Sequence, residues 1–121
     1  MLTSPLHSVS RATVRSAIVG ATGFVGVELT RLLVNHPGFA LGQVISGSEA
    51  GKRVDELFPA LAGCTLSYDT YDAAEIARAS EVCFLAVPHT TGAAVAQELV
   101  ARGVVVVDAS ADFRLRDPAV Y

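Results

Sequence analysis

A glycine-containing turn at residues 20–26 constrains the fold of this chain more than any other feature. The turn reads Gly-Ala-Thr-Gly-Phe-Val-Gly and directly follows Val14–Val19, which ends in the apolar run Ala17–Val19 and is predicted to be a buried β-strand. A helical pattern of apolar residues begins at Phe24 and continues to His36. A strand, a glycine turn and an amphipathic helix in that order predict the first βα unit of a parallel sheet.

The glycines of the turn have separate predicted roles. Gly20 lets the chain turn sharply off the strand, and Gly23 lets backbone N–H groups approach an anion closely. Gly26 lets the helix lie tightly on the sheet. The partial positive charge of about half a unit at the helix N-terminus suits a pyrophosphate. A tight turn that binds nothing is the alternative, but the strand–turn–helix context favours cofactor binding.

The rest of the chain alternates between short aliphatic runs and helical patterns, which predicts an α/β fold with a Rossmann-like doubly wound parallel sheet. Lys52 to Gly63 is predicted as a loop with one helical turn at most. Asp72 is the predicted N-cap of a helix that ends at Ala79, with Glu75 at the capping-box position. The other predicted elements are strands at Phe39–Ile45, Thr65–Tyr68, Val82–Val87 and Val104–Asp108, and a helix at Thr91–Arg102.

The apolar periodicity also predicts which helix faces point inward. The inward residues predicted for the first helix are Val25, Leu29, Leu32, Leu33 and His36, and those for the helix at Thr91–Arg102 are Val95, Leu99 and Val100. Ligands of a doubly wound sheet bind at the carboxyl ends of its strands. Here those ends are Gly20, Ser46, Pro88 and Ala109.

The composition argues against several classes of partner and against a reactive cysteine. The net charge is −3, and no apolar run approaches the 18 or so residues of a membrane span, so neither a nucleic-acid groove nor a membrane is expected. Cys64 and Cys83 have no metal-ligand spacing, and Cys83 lies in an apolar run. A buried, inert thiol is therefore favoured over a nucleophile, and a reducing cytoplasm is the expected location.

The end of the second strand indicates which cofactor is bound. NAD sites usually carry an acid about 20 residues past the glycines, where this chain has Ser46-Gly47-Ser48, followed by Glu49. Lys52 and Arg53 come next. Hydroxyls and cations in place of an acid favour the 2′-phosphate of NADP. The alternative is that Lys52 and Arg53 are ordinary solvated charges.

Four segments give the chain a specific resemblance. They are Ile18–Gly26, Ala50-Gly51-Lys52, Phe84–His89, and Asp108–Leu115 running on into Asp117–Tyr121. On these motifs the chain from about Val14 onward resembles the N-acetyl-gamma-glutamyl-phosphate reductases of arginine biosynthesis. The glycine turn and Ala-Gly-Lys are shared with the related aspartate-semialdehyde dehydrogenases, whereas Leu-x-x-Pro-His and Ser-Ala-Asp-Phe-Arg-Leu point to the acetylglutamyl-phosphate enzymes.

The resemblance implies NADPH-dependent reduction of an acyl phosphate to an aldehyde through a cysteine thioester, assisted by a histidine. It implies cofactor contacts at the turn residues Gly20, Thr22, Gly23, Phe24, Val25 and Gly26, and at Pro88, His89 and Ser110 near the ends of later strands. Ser46 and Ser48 complete the predicted cofactor site. Family members often carry an arginine where this chain has Gly47 and Ser48, so the residue that would hold the 2′-phosphate stays open.

Residues 1–13 contain Ser, Thr, Pro, His and Arg but no acidic residue, and they are predicted to be a flexible leader. The resemblance implies that residues 14–121 are an incomplete NADP-binding domain, with no catalytic residue in this chain. The expected partner is a small-molecule substrate, and a homo-oligomer is expected for the full-length form. A semialdehyde dehydrogenase of the same fold and a non-catalytic dinucleotide-binding module are the alternatives.

Overall fold

The structure, a computed structural model, describes residues 13–109, and of His89 only the backbone. The predicted leader up to residue 12 and the predicted site residue Ser110 lie outside the described residues. The strands are β1 (Val14–Val19), β2 (Phe39–Ile45), β3 (Tyr68–Asp69), β4 (Val82–Leu85) and β5 (Val105–Asp108). The helices are α1 (Phe24–Val34), α2 (Val54–Leu57), α3 (Ala73–Ala79) and α4 (His89–Ala101), and a 3₁₀ turn spans Pro59–Leu61.

Within residues 13–109 the five strands form one parallel sheet in the order β3-β2-β1-β4-β5. The central strand β1 pairs on one side with β2, where Val19 lies opposite Ile45, and on the other with β4, where Val19 lies opposite Leu85. The winding reverses direction between β1 and β4, and the crevice at such a switch point is where ligands bind. The predicted doubly wound sheet is confirmed.

Alternate residues of the strands face two separate core layers. Ala17 and Val19 of β1 belong to the layer that contains Ile76 of α3 and Leu99 of α4. Ile18 belongs to the opposite layer, with α1 and the segment around α2. The last three residues of the central strand, Ala17–Val19, are buried against both layers, and they form a continuous apolar run. No helix within residues 13–109 is long and apolar enough to cross a membrane.

The predicted inward face of α1 is partly wrong. Leu33 is buried and Leu29 is half-buried, as predicted, but Leu32 is 54% exposed, and Val25 and His36 are also exposed. The buried residues of α1 are Gly26, Thr30 and Leu33. Small side chains on this face bring the helix backbone close to the sheet, and the Thr30 hydroxyl is satisfied by the carbonyl oxygen of Gly26 at 2.8 Å.

The third strand begins later than Thr65. Residues 65–67 pair with the segment before α2 instead of with β2, since the N–H of Val54 donates to the Leu66 carbonyl at 2.9 Å and Ser67 bridges Arg53 in antiparallel fashion. Only from Tyr68 onward does the chain join the sheet. The single helical turn expected between Lys52 and Gly63 is present as α2, followed by the 3₁₀ turn.

Two further predictions concern the cap at Asp72 and the last helix. Asp72 accepts a hydrogen bond from the N–H of Glu75 at 3.2 Å, which confirms the predicted N-cap, while the Glu75 carboxylate pairs with Arg78. Helix α4 begins at His89, two residues before the predicted start, because Pro88 is its N-cap. Val95 and Leu99 are buried as predicted, but Val100 is exposed, so that part of the predicted face is wrong.

Candidate functional site

Gly20 and Gly26 of the turn are required by the fold itself. Gly20 has φ +85°, and a Cβ placed on it would lie 2.4 Å from the carbonyl oxygen of Ala86. A Cβ on Gly26 would lie 2.1 Å from the carbonyl oxygen of Gly20 and 2.7 Å from the Cα of Ala21. All of these neighbours are backbone atoms, which cannot swing aside. These glycines would be needed even in a turn that binds nothing.

Gly23 differs, because the described residues give no reason for a glycine there. It is the N-cap of α1 with φ −75° and ψ 174°, a conformation open to any residue. A Cβ on it would come no closer than 3.7 Å, to the carbonyl oxygen of Gly20, which is an ordinary contact. The missing side chain leaves open space in front of the helix end. This space is what a phosphate-binding turn needs and a bare turn does not.

The N-terminus of α1 is open to an anion. The N–H groups of the first helical turn have no intrahelical acceptor, and among the described residues no side chain caps them. The first turn, which begins with Phe24 and Val25, contains no acidic residue. The positive end of the helix dipole is therefore not compensated by a neighbouring carboxylate of that turn, and it favours a negatively charged ligand.

A chain of hydroxyl groups joins the turn to the end of β2. The hydroxyl oxygens of Thr22 and Ser46 lie 2.9 Å apart, and those of Ser46 and Ser48 lie 3.5 Å apart. The N–H groups of Gly20 and Ala21 both donate to the carbonyl oxygen of Ile45 at 3.0 Å, which fixes the turn against the same strand end. The structure thus brings together predicted site residues that are 24 positions apart in the sequence.

Lys52 and Arg53 are each paired with an acid on the surface. The Lys52 ammonium lies 2.8 Å from a carboxylate oxygen of Glu49, and the Arg53 guanidinium lies 2.6 Å from Asp55. The hydrogen bond from Arg53 lowers the pKa of Asp55, so both members of that pair stay charged. These local pairs agree with ordinary solvated charges and weaken the argument that the two cations select a 2′-phosphate.

A cavity of about 260 Å³ opens beside the turn, at the carboxyl ends of β1 and β2. Its lining is mostly aliphatic and aromatic, which suits a flat apolar ring more than a charged group. The lining residues are Val19, Gly20, Ile45, Ser46, Gly47, Tyr71, Val87, Thr91 and Val95.

Tyr71, Val87, Thr91 and Val95 of this lining were not predicted from the sequence as site residues, and Val95 was predicted only as an inward-facing residue of its helix. They come from the segment after β3, from the end of the β4 segment and from α4, and no local motif connects them. The Tyr71 hydroxyl donates to a carboxylate oxygen of Glu98 at 2.7 Å. Burial, and secondarily this bond, raise the pKa of Tyr71, so the phenol stays neutral.

The loop after β4 packs against the glycine turn. The N–H of Ala86 donates to the carbonyl oxygen of Val19 at 2.8 Å, and the Ala86 carbonyl fills the space that a side chain on Gly20 would need. Pro88 then caps α4, whose first residue is His89. The backbone of both predicted residues is therefore on the same edge of the sheet as the turn.

The thiols of the chain are not placed for covalent chemistry. Cys83 is fully buried in β4, and burial raises the pKa of its thiol to about 12. Cys64 is also buried. Among residues 13–109 no three His, Cys, Asp or Glu side chains come together as metal ligands. The described site offers main-chain N–H groups and an apolar cavity to an elongated anion, and no cysteine lines that cavity.

Comparison with known proteins identifies relatives of this chain. Curated relatives include N-acetyl-gamma-glutamyl-phosphate reductases from Acidithiobacillus ferrooxidans, 49% identical over 109 residues, and from Nitrosococcus oceani, 42% identical over 109 residues. These matches cover 89% of this chain but only 31% and 32% of the relatives, so the chain spans about a third of their length.

Solved structures similar to this one share its fold. Aspartate semialdehyde dehydrogenase with NADP from Candida albicans has a TM-score of 0.71 at 20% identity, covering 86% of this chain and 31% of that chain. The Rex-family repressor RSP in complex with beta-NADH has a TM-score of 0.61 at 18% identity, covering 90% and 52%. At such identities the likeness shows the fold alone.

The sequence profile that describes the semialdehyde dehydrogenase NAD-binding domain matches residues 15–121. That match takes in the turn, the hydroxyl chain and the loop after β4. The chain belongs to this family of NAD-binding domains, and its cofactor is a nicotinamide dinucleotide.

Proposed function

From this family membership, we propose that the chain is the NADP-binding part of a reductase that acts on N-acetyl-L-glutamyl 5-phosphate. The reaction would use NADPH to form N-acetyl-L-glutamate 5-semialdehyde, a step of arginine biosynthesis. The observation that carries the proposal is the 42–49% identity, over 89% of the chain, to curated reductases of that name. Because the chain spans about a third of their length, it would supply the cofactor-binding part of the enzyme and not the whole activity.

The features of the turn and of the neighbouring cavity support a binding mode for the dinucleotide. The pyrophosphate would lie at the N-terminus of α1, held by main-chain N–H groups in the space left by Gly23. The adenine ring would enter the apolar cavity. The residues proposed to contact the cofactor are Gly20, Thr22, Gly23, Phe24, Val25, Gly26, Ser46, Ser48, Pro88, His89 and Ser110.

When bound, the nicotinamide supplies the hydride that reduces the acyl group. The role of this chain is then to fix the position of the donor: Gly20 and Gly26 shape the turn, and Thr22 ties it to the ribose-binding end of β2. The covalent step needs a thiolate. Cys83 stays a thiol at neutral pH because burial raises its pKa to about 12, and Cys64 is buried in the core layer of α1. We therefore propose that the nucleophile comes from the part of the enzyme outside this chain.

NADP is proposed over NAD on the basis of the end of β2. The sequence there is Ser-Gly-Ser, and the hydroxyl chain from Thr22 to Ser48 leads from the phosphate turn toward solvent. An acid at this point would bind ribose hydroxyls and repel a 2′-phosphate. Since Lys52 and Arg53 are paired with acids, the preference rests on the hydroxyls and the missing carboxylate.

The remaining features of the proposal concern the whole enzyme. We propose a small-molecule substrate, a cytoplasmic location and a homo-oligomer for the full-length form, without nucleic-acid or membrane partners. The chain alone is expected to turn over no acyl phosphate. Replacing the matching segment of the Acidithiobacillus relative with this chain should preserve NADPH-dependent reductase activity.

Calorimetric titration of the 121-residue chain with NADPH and with NADH tests the proposal. We expect NADPH to bind about tenfold more tightly or better, which corresponds to 1.4 kcal/mol. Equal affinity, or a preference for NADH, would contradict the NADP assignment. As the control, Gly23→Val should abolish binding of both, because its side chain would occupy the pyrophosphate space; retained binding would show that the turn is not the site.

A further inference from the structure

Tyr71 is the one aromatic residue among the described residues that line the cavity beside the glycine turn. It follows the end of β3 by two positions and is partly buried against the core layer of α3 and α4. The other lining side chains are aliphatic or small, with Val19 and Ile45 coming from β1 and β2. A cavity of about 260 Å³ therefore combines one flat aromatic ring with an otherwise aliphatic or small lining.

Glu98 of α4 holds the outer end of the Tyr71 side chain. The Tyr71 hydroxyl donates to a carboxylate oxygen of Glu98 at 2.7 Å, although the two residues are 27 positions apart in the sequence. Val95 and Thr91, which line the cavity, lie one and two helical turns before Glu98 on the same face of α4. The Tyr71 side chain thus joins the cavity-lining face of α4 to the segment after β3.

Both ends of the Tyr71 side chain are fixed. Its ring packs against the buried layer that contains Ile76 and Leu99, and its hydroxyl is bonded to a carboxylate oxygen. Burial raises the pKa of the phenol, which therefore keeps the proton that this bond needs. A ring that is already held in place loses little conformational entropy when a ligand binds to it.

We infer that Tyr71 is the residue on which the base of the dinucleotide stacks, and that Glu98 is the positioning residue for Tyr71. The inference rests on the proposed function, which places the adenine ring in this cavity. Aliphatic side chains bury a purine without fixing its plane, whereas an offset stack on a tyrosine ring does fix it. Stacking on an aromatic side chain raises the affinity for a base about tenfold or more.

A purely structural bond between the segment after β3 and α4 is the competing explanation, and Tyr68 provides a matched control for it. Tyr68 lies three residues before Tyr71 but is buried in the opposite core layer, with Val44 and Ile18. Its hydroxyl has no hydrogen-bond partner among the described residues. Replacing either tyrosine with phenylalanine removes one hydroxyl and keeps the ring, but only at Tyr71 does a hydrogen bond disappear.

Calorimetric titration of the 121-residue chain with adenosine 2′,5′-bisphosphate, which carries the base but no nicotinamide, tests the inference. Tyr71→Leu should raise the dissociation constant about tenfold or more, because the stack is lost. Tyr71→Phe and Glu98→Ala should each raise it about three- to tenfold, because a freed ring must be ordered on binding. Glu98→Gln removes the same charge as Glu98→Ala but keeps an oxygen that can accept from Tyr71. Its dissociation constant, like that of Tyr68→Phe, should therefore stay within about twofold of the native value.

NMR spectra of the tyrosine rings give a signature that a structural bond alone would not produce. The chain has only three tyrosines, and Tyr71→Phe and Tyr68→Phe assign two of their ring resonances. As adenosine 2′,5′-bisphosphate is added, the ring current of a stacked base should shift the Tyr71 resonance upfield until the site is saturated. The Tyr68 resonance should hardly move.

Native affinity for adenosine 2′,5′-bisphosphate in Tyr71→Leu, or an unshifted Tyr71 resonance, would overturn the inference. Equal weakening by Glu98→Gln or Tyr68→Phe would also overturn it, because the bond would then have a structural role only. Weaker binding of NADPH without weaker binding of the adenosine bisphosphate would overturn it in favour of nicotinamide in the cavity. If Tyr71→Leu does not fold, Tyr71→Phe and Glu98→Ala decide, since each removes only an exposed hydrogen bond. A native chain that binds neither ligand would contradict the proposed function itself, whereas failure of the inference alone leaves native binding intact.

Discussion

A substitution at Gly23 best distinguishes a turn that binds a dinucleotide from one that only connects a strand to a helix. Replacing it with alanine adds a Cβ whose nearest described neighbours are carbonyl oxygens of Gly20 at 3.7 Å and Ala86 at 3.9 Å. The backbone conformation suits alanine, so the loss at the N-cap and the gain from a less flexible unfolded chain leave stability within about 1 kcal/mol. The fold of Gly23→Ala is expected to be intact.

Binding should respond very differently. The methyl group would occupy the space in front of the α1 N-terminus and hold a phosphate away from the main-chain N–H groups. Losing two charge-assisted hydrogen bonds of about 1.5 kcal/mol each raises the dissociation constant for NADPH about 100-fold. Gly26→Ala is the contrasting variant: with backbone atoms at 2.1 Å and 2.7 Å from the new Cβ, it should lose about 3 kcal/mol or more of stability.

Urea unfolding and NADPH titration of both variants check this pair of expectations. The result that would refute the reasoning is Gly23→Ala binding NADPH as tightly as the native chain. A loss of stability in Gly23→Ala equal to that in Gly26→Ala would also refute it, because the space in front of Gly23 would then be structural.

Other predictions follow from single contacts. Ser48→Asp, at an exposed position, should raise the NADPH dissociation constant about tenfold or more, because its carboxylate would repel a 2′-phosphate. Titration should show the NADH dissociation constant unchanged within about threefold, and equal weakening of both cofactors would contradict the prediction. Thr22→Val should cost about 1 kcal/mol in urea unfolding, because buried Ser46 loses the nearer of its two hydroxyl partners, and an unchanged midpoint would disprove the link. Asp72→Ala should cost about 1 kcal/mol by the same measurement while Asp72→Asn costs less, and equal losses would argue against capping. The pKa of Cys83 is raised to about 12 from 9.0, so the thiol is protonated in both states below pH 9, and between pH 9 and 12 the unfolded chain releases a proton that the folded chain keeps. Stability should therefore fall by about 1.4 kcal/mol per pH unit from this group, less steeply in Cys83→Ala, and identical slopes would rule the group out.

The fold could be predicted because each strand and helix leaves a local signal. β1 and β2 have the predicted bounds, since each ends in buried aliphatic residues that are followed directly by a turn or loop containing glycine. Asp72 was predictable for the same reason, because a cap contacts a backbone group only three residues away. Thr65–Tyr68 was misplaced because its pairing partner is the segment before α2, and pairing partners are not encoded locally.

The face of α1 shows a different limit. Periodicity identifies which flank of a helix is apolar, but not what covers it. Leu32 and Val25 belong to the apolar flank of α1, yet within residues 13–109 the sheet contacts the flank of Gly26 and Thr30 instead. Small residues that permit close packing are harder to recognise in a sequence than leucines. The apolar flank of α1 was therefore predicted to face the core in place of the flank with the small residues.

Individual residues of the site could be predicted from the sequence, but the contacts between them could not. The glycine turn follows from spacing, and Ser46 and Ser48 follow from their place after β2. The 2.9 Å contact between the hydroxyls of Thr22 and Ser46 depends on how two strand ends meet, and so does the cavity wall at Tyr71. These features exist only once the sheet has formed.

The central claim is that the glycine turn holds the phosphates of a nicotinamide dinucleotide, and amide NMR spectra of the 121-residue chain test it most directly. During titration with NADPH we predict large, saturable shifts at the amides of Gly20, Gly23 and Gly26. The amides of Gly38 and Gly63, away from the carboxyl edge of the sheet, should hardly move. Absence of shifts at the turn, or shifts of equal size at Gly38 and Gly63, would contradict the account.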